Sequence, residues 1–220
     1  MSGLFSWGGR KTEESSAASA PAATVPAVPD TLTTSKVFPR FMTAIAHEAT
    51  PTLLDLGPVV GANITFFGER LACKIFVDDL FADIEAHARK DTRDQLGGDL
   101  LARLTHDPGT IDGILCWDLF DFLDKTTGQA LAMKLKQLLR PGGAVYGLFG
   151  TTPIDLTHYT RFMVEAEDSL RLRPYPATPT RRNVLLTRDI NKMFDGLTVA
   201  ESVLLKTSTR ETLFRKAGSS

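Results

Sequence analysis

Asp55, Gly57, Gly61 and Asn63 stand close together at the end of a short apolar run, in the stretch Leu53-Leu54-Asp55-Leu56-Gly57-Pro58-Val59-Val60-Gly61-Ala62-Asn63-Ile64. An apolar run that ends in an acid, followed by two glycines four positions apart and then a new apolar periodicity, describes a buried strand turning into a helix beside a small ligand. Asp55 can accept hydrogen bonds at the strand's end, while Gly57 and Gly61 allow backbone and helix to approach a ligand closely. The spacing is D-x-G-x-x-x-G. A dinucleotide fingerprint has the spacing G-x-G-x-x-G and an apolar residue where Asp55 stands. Asn63, two residues into the helix, has two readings of equal weight, a polar ligand contact and an N-terminal cap.

The elements that must position these residues follow from periodicity. Phe38, Phe41, Met42, Ile45 and Ala46 have helical spacing. A first strand is expected at about 51–56, a helix at 61–70, and a second strand at Lys74–Val77 ending in Asp78-Asp79. Phe81–Arg89 reads as a helix; the polar stretch 91–106 holds at most a short third strand. A fourth strand at Ile111–Leu115, an amphipathic helix at Thr127–Arg140 and a fifth strand at Ala144–Phe149 complete an alternating β-α order, as in a parallel sheet with right-handed crossovers. After a brief helix at Arg188–Phe194 come two strands, Leu197–Lys206 and Arg210–Lys216, with only a short loop between them. So short a connection makes that pair antiparallel.

With Asp55, Gly57 and Gly61 at its centre, this pattern resembles the class I methyltransferases, which use S-adenosylmethionine (SAM) and have a seven-stranded, Rossmann-like sheet. The middle glycine usual in that family is replaced here by Val59. The resemblance implies an α/β fold with a doubly wound, mainly parallel seven-stranded sheet and a C-terminal antiparallel strand pair. It implies that Asp55 and Gly57 approach the amino-acid end of SAM. It also implies that Asp78, 21 residues after Gly57, accepts hydrogen bonds from the ribose hydroxyls. A carboxylate suits that task because its two oxygens accept in a fixed fork. Asp79 reads as a helix cap. The stretch Asp112–Phe120 resembles the family's fourth-strand motif, in which Trp117 either borders the adenine and acceptor or is an ordinary packing residue. Leu138-Leu139-Arg140-Pro141-Gly142-Gly143 resembles the family's L-x-P-G-G helix stop.

Catalytic candidates are fewer. Asp118 and Asp121 follow the fourth strand as possible bases. His158 and Tyr159 lie in extra material at 151–187, where a hairpin is expected around Glu167-Asp168-Ser169 over the carboxyl ends of the strands. Methyl transfer depends largely on alignment and proximity, and needs a base only when the acceptor must lose a proton. Arg171, Arg173, Arg181 and Arg182 form the only local basic concentration, read as a solvated face before an anion site.

Composition limits the alternatives. Twenty-five basic against 26 acidic residues give a net charge of −1, so there is no positive field for a nucleic-acid backbone. Hydrophobic residues make up 43% and charged residues 23%, ordinary values for a globular domain. Cys73 and Cys116 lack metal-type spacing and read as reduced core residues; no metal site is expected. No apolar run is long enough to span a bilayer, and no secretory signal opens the chain, so cytoplasm is the expected compartment. Residues 1–35, rich in Ala, Ser, Thr and Pro, are expected to be a disordered tail before a domain at 36–217. The functional expectation is a SAM-dependent methyltransferase acting on a small-molecule or protein acceptor. A methyltransferase-like binding or assembly module that has lost or altered cofactor binding is the alternative, and a nicotinamide-dependent oxidoreductase is the weakest reading.

Overall fold

The computed structural model describes residues 29–218. In chain order its elements are β1 (Thr31–Thr34), α1 (Phe38–Ile45), β2 (Thr52–Asp55), α2 (Gly61–Leu71), β3 (Lys74–Val77), α3 (Leu80–Lys90) and α4 (Leu96–Arg103). There follow β4 (Ile111–Trp117), a 3₁₀ turn (Leu119–Phe122), α5 (Lys125–Leu138), β5 (Leu139–Gly150), β6 (Asp155–Ala166), β7 (Ser169–Arg181), α6 (Thr187–Met193), β8 (Thr198–Leu204) and β9 (Thr209–Arg215).

Six strands form the main sheet in the order β3-β2-β4-β5-β9-β8. Strands β3, β2, β4 and β5 are mutually parallel; β9 runs antiparallel to β5, and β8 antiparallel to β9. The doubly wound parallel core and the terminal antiparallel pair are as the sequence implies. The expected seventh strand is absent from the described residues. Between β3 and β4 the chain forms α4, whose Leu96 and Leu100 lie one helical turn apart and are both buried. The i, i+4 spacing sets both on one face of the helix, which turns them into the core.

Alternation along the central strands sorts side chains into two cores, one on each face. Leu54, Ile114, Cys116 and Val145 face the side covered by α3, α4, α5 and α6. Leu53, Leu115, Trp117 and Tyr146 face the side covered by α1 and α2.

The remaining strands make a second sheet, β1-β7-β6. The long hairpin β6–β7 turns between Ala166 and Ser169, as expected. Thr31–Thr34, expected to belong to a disordered tail, is strand β1, paired antiparallel to Ser169–Leu172. The buried Glu211 secures the next segment, accepting hydrogen bonds from the backbone N–H groups of Lys36 and Val37 and from the Tyr146 hydroxyl. Residues 1–28 lie outside the described residues. No helix among the described residues is long and apolar enough to cross a membrane.

Candidate functional site

Strand β2 delivers Asp55 to the carboxyl edge of the parallel sheet, and the chain then turns at Gly57. The Gly57 N–H donates to Asp55 Oδ1 at 2.8 Å. The same oxygen accepts a 2.7 Å hydrogen bond from the indole N–H of Trp117, the last residue of β4. Asp55 is only 2% exposed, and burial pushes its pKa up to about 6 against the lowering effect of these two bonds.

Gly57 is required by this arrangement. A Cβ there would lie 2.7 Å from Trp117 Cδ1 and 3.1 Å from Asp55 Oδ1. Trp117 itself has a positive φ of 50°, uncommon for a bulky residue, which places its indole back over the turn. Its ring stacks on Phe162 of β6 at 5.1 Å with an interplanar angle of 1°, and on Phe38 at 6.3 Å. Trp117 is 2% exposed.

Asn63 acts as neither cap nor open ligand contact here. Its Nδ2 donates to the Phe162 carbonyl and its Oδ1 accepts from the Val164 N–H, both at 2.8 Å, which pins the hairpin to α2. Residue Val60 occupies the cap position of α2. Gly61 is exposed, and a Cβ there would meet nothing within 4 Å, so close helix–sheet packing does not explain it. Val59, where the resembled family has glycine, is 63% exposed, so its side chain is not packed into the turn.

Asp78 stands beside Asp55 at the end of β3, its backbone N–H bonded to the Asp55 carbonyl. Its Oδ2 accepts a 2.8 Å hydrogen bond from His106 Nε2, and the His106 ring packs 4.7 Å from Phe76. Asp79 caps α3, its side chain accepting from the Ala82 N–H.

No known sequence family and no curated protein matches the chain. Solved structures do. The PH0226 protein of Pyrococcus horikoshii OT3 superimposes with a TM-score of 0.51 at 14% identity, over 82% of this chain and 87% of that one. An S-adenosylmethionine-dependent methyltransferase of Clostridium acetobutylicum ATCC 824 does so with a TM-score of 0.51 at 14% identity, over 84% of this chain and 93% of that one. The chain has the class I methyltransferase fold.

The resemblance drawn from the sequence would put a cofactor at the carboxyl ends of β2, β3 and β4. Here the residues do not fit SAM in the conformation described. The Trp117 indole lies on Gly57, Phe162 covers Trp117, and His106 holds Asp78. Val59, the residue that breaks the glycine motif, does not close the cleft; the hairpin and the end of β4 do. His106 and Phe162 lay outside the sequence reading. No local signal marks either one, because their roles depend on partners distant in the chain.

The catalytic candidates do not converge. Asp118 follows β4 and is 8% exposed, lining a cavity that neither His158 nor Tyr159 reaches. Tyr159 is 1% exposed and packed against Phe81, Phe122 and Tyr175 as a core aromatic. His158 is the preceding residue of β6, half-buried and directed to the opposite face of the hairpin. Asp121 accepts the Gly150 N–H with both carboxylate oxygens at 3.0 Å.

Proposed function

We propose that this chain is a SAM-dependent methyltransferase whose cleft is closed by its own hairpin, so that cofactor binding requires β6–β7 to move. One observation carries the reading. Two acids, Asp55 and Asp78, end adjacent parallel strands of this fold, and each receives a side-chain N–H from the protein itself, Trp117 and His106 respectively. Ribose hydroxyls or an ammonium group would bring hydrogen-bond donors of the same kind. In the open form Asp78 is assigned to the ribose, and Asp55 with Gly57 to the amino-acid end. The acceptor is a small molecule or a protein, methylated at oxygen, nitrogen or carbon.

Closure sets the expected affinity. If the closed form is favoured by about 3 kcal/mol, the apparent affinity for SAM falls about a hundredfold below that of the open form. Calorimetric titration of the full chain and of Asn63→Ala with SAM and S-adenosylhomocysteine tests this. Binding should be weak in the parent and about tenfold or more tighter in Asn63→Ala.

A second reading has its own observation. Trp117 is 2% exposed and stacked on two aromatic rings, so the cleft is filled in the manner of a core. That favours a non-catalytic binding or assembly module. Absence of binding to either folded protein would establish this reading and remove the first.

A further inference from the structure

Beyond Phe162, under the hairpin and against the ends of β5 and β9, lies a cavity of ≈ 80 Å³, with room for a group of several non-hydrogen atoms. Leu148, Phe162 and Leu172 supply apolar wall; Asp118, Asp121, Arg182 and Glu211 supply charge. Phe162 is shared with the closed cleft, because its ring also stacks on Trp117.

Each charged group but one has its partners. Asp121 accepts from the Gly150 N–H, and Arg182 Nε lies 3.1 Å from Asp121 Oδ2, an ion pair whose N–H points off the line of a hydrogen bond. Glu211 is engaged by Lys36, Val37 and Tyr146. Asp118 is left over: its Oδ1 is fully buried and meets no hydrogen-bond donor. Buried oxygens of this kind are rare because the lost hydration is not returned. Burial lifts the Asp118 and Asp121 carboxyls above the usual carboxylate range, so three carboxylates face one guanidinium, and the cavity is short of positive charge, once both have ionised above about pH 8.

The geometry points to a binding site for a small organic ammonium, its nitrogen donating to the Asp118 carboxylate and its hydrocarbon part lying on Leu148, Phe162 and Leu172. A bare metal ion suits the place poorly, since no cluster of three or more ligating side chains exists among the described residues and half the wall is apolar. Binding does not require SAM. Only its consequence, that an amine would be the methyl acceptor beside the cofactor cleft, rests on the function proposed above.

The test uses the full-length chain at about pH 9, where the Asp118 carboxyl is ionised and the amine still carries its proton, and n-butylammonium chloride, with sodium butyrate and 1-butanol as chain-matched anionic and neutral controls at equal ionic strength. Amide chemical shifts of Asp118, Asp121, Gly150 and Phe162 should saturate with butylammonium and not with butyrate. Asp118→Asn keeps the side chain's shape and removes its charge, and should weaken butylammonium binding at least tenfold. Should Asp118→Asn fail to fold, Leu172→Phe narrows the cavity from β7 and should weaken binding similarly. Equal response to butyrate or butanol, no saturable response to butylammonium, or binding unaffected by a folded variant overturns the assignment. Because no SAM is present, butylammonium binding together with absent SAM binding would retain this site and reject only the enzymatic reading.

Discussion

Replacing Asn63 with alanine removes the hook that holds the hairpin over the cleft. The side chain is 1% exposed and spans two backbone groups of β6, each at 2.8 Å. Alanine leaves the Phe162 carbonyl and the Val164 N–H without partners. A buried polar group that loses its partner costs about 1–3 kcal/mol, so a hairpin that stays closed loses about 2–6 kcal/mol. At about 2–4 °C per kcal/mol for a domain of this size, the melting temperature drops by roughly 10 °C. If the hairpin instead lifts and water reaches both groups, the loss is limited to the docking energy of Phe162 on Trp117 and its surroundings. Hydrogen exchange separates the two outcomes. Lifting speeds exchange along β6 while β4 and β5 stay protected, whereas a closed, strained hairpin lowers stability everywhere together. Urea unfolding alongside exchange mass spectrometry makes the measurement. Thr65→Ala is the control on the same helix, since its hydroxyl bonds only to the exposed Gly61 carbonyl. A loss in Asn63→Ala no larger than in Thr65→Ala, with exchange along β6 unchanged, refutes the latch.

Gly57→Ala forces a Cβ to within 2.9 Å of Trp117 Nε1 and should cost about 3 kcal/mol or more by urea unfolding, from overpacking and the lost indole–Asp55 bond; a change below 1 kcal/mol contradicts the contact. Burial raises the carboxyls of Asp55, Asp118 and Asp121 to about 6, 8 and 7, with the Asp121 charge adding to the rise at Asp118 and Arg182 opposing it. The folded state therefore binds more protons than the unfolded one between about pH 4 and 8, so stability should fall as pH rises from 5 to 8; a flat or rising profile rejects this. Removing residues 1–28 should leave the melting temperature nearly unchanged. Removing 1–34 also takes β1 and the Asp30–Arg173 ion pair, and should lower it by several degrees; equal melting of the two truncations would show that β1 contributes nothing.

Local features were readable from sequence, because the chemistry that makes them is local. Asp55 and Gly57 are two residues apart and form their own hydrogen bond. Asp79 caps the helix that starts next to it, and the turn at 167–168 joins two alternating segments. The β8–β9 pair followed from the length of its loop. The state of the cleft did not follow, because its contacts join distant positions. Asn63 meets Phe162 99 residues away, and His106 meets Asp78 across 28. Strand β1 escaped notice because Thr31–Thr34 buries almost nothing; its ladder to β7 defines it. Stretch 91–106 was polar enough to hide a helix whose core face is only Leu96 and Leu100.

Asp55 itself can decide between a cleft that opens and one that is permanently filled. In the closed form its carboxylate is almost fully buried and one oxygen takes both donors. An amide oxygen can accept the same two bonds without the desolvation penalty of a charge. Asp55→Asn should therefore leave stability at pH 8 within about 1 kcal/mol of the parent, or above it, since burying an unpaired charge is the costlier state. It should also flatten the pH profile by the contribution of one proton between about pH 4 and 6. If the cleft is only a core, nothing further changes, and an acid at this position has no use that an amide lacks. If the cleft opens to SAM, the carboxylate is the group that meets the cofactor's charged end. The amide variant, equally stable, then loses at least tenfold in affinity when measured in the Asn63→Ala background. Stability and affinity move separately only in the second case. A variant in which both fall in parallel would show that Asp55 works solely through the fold.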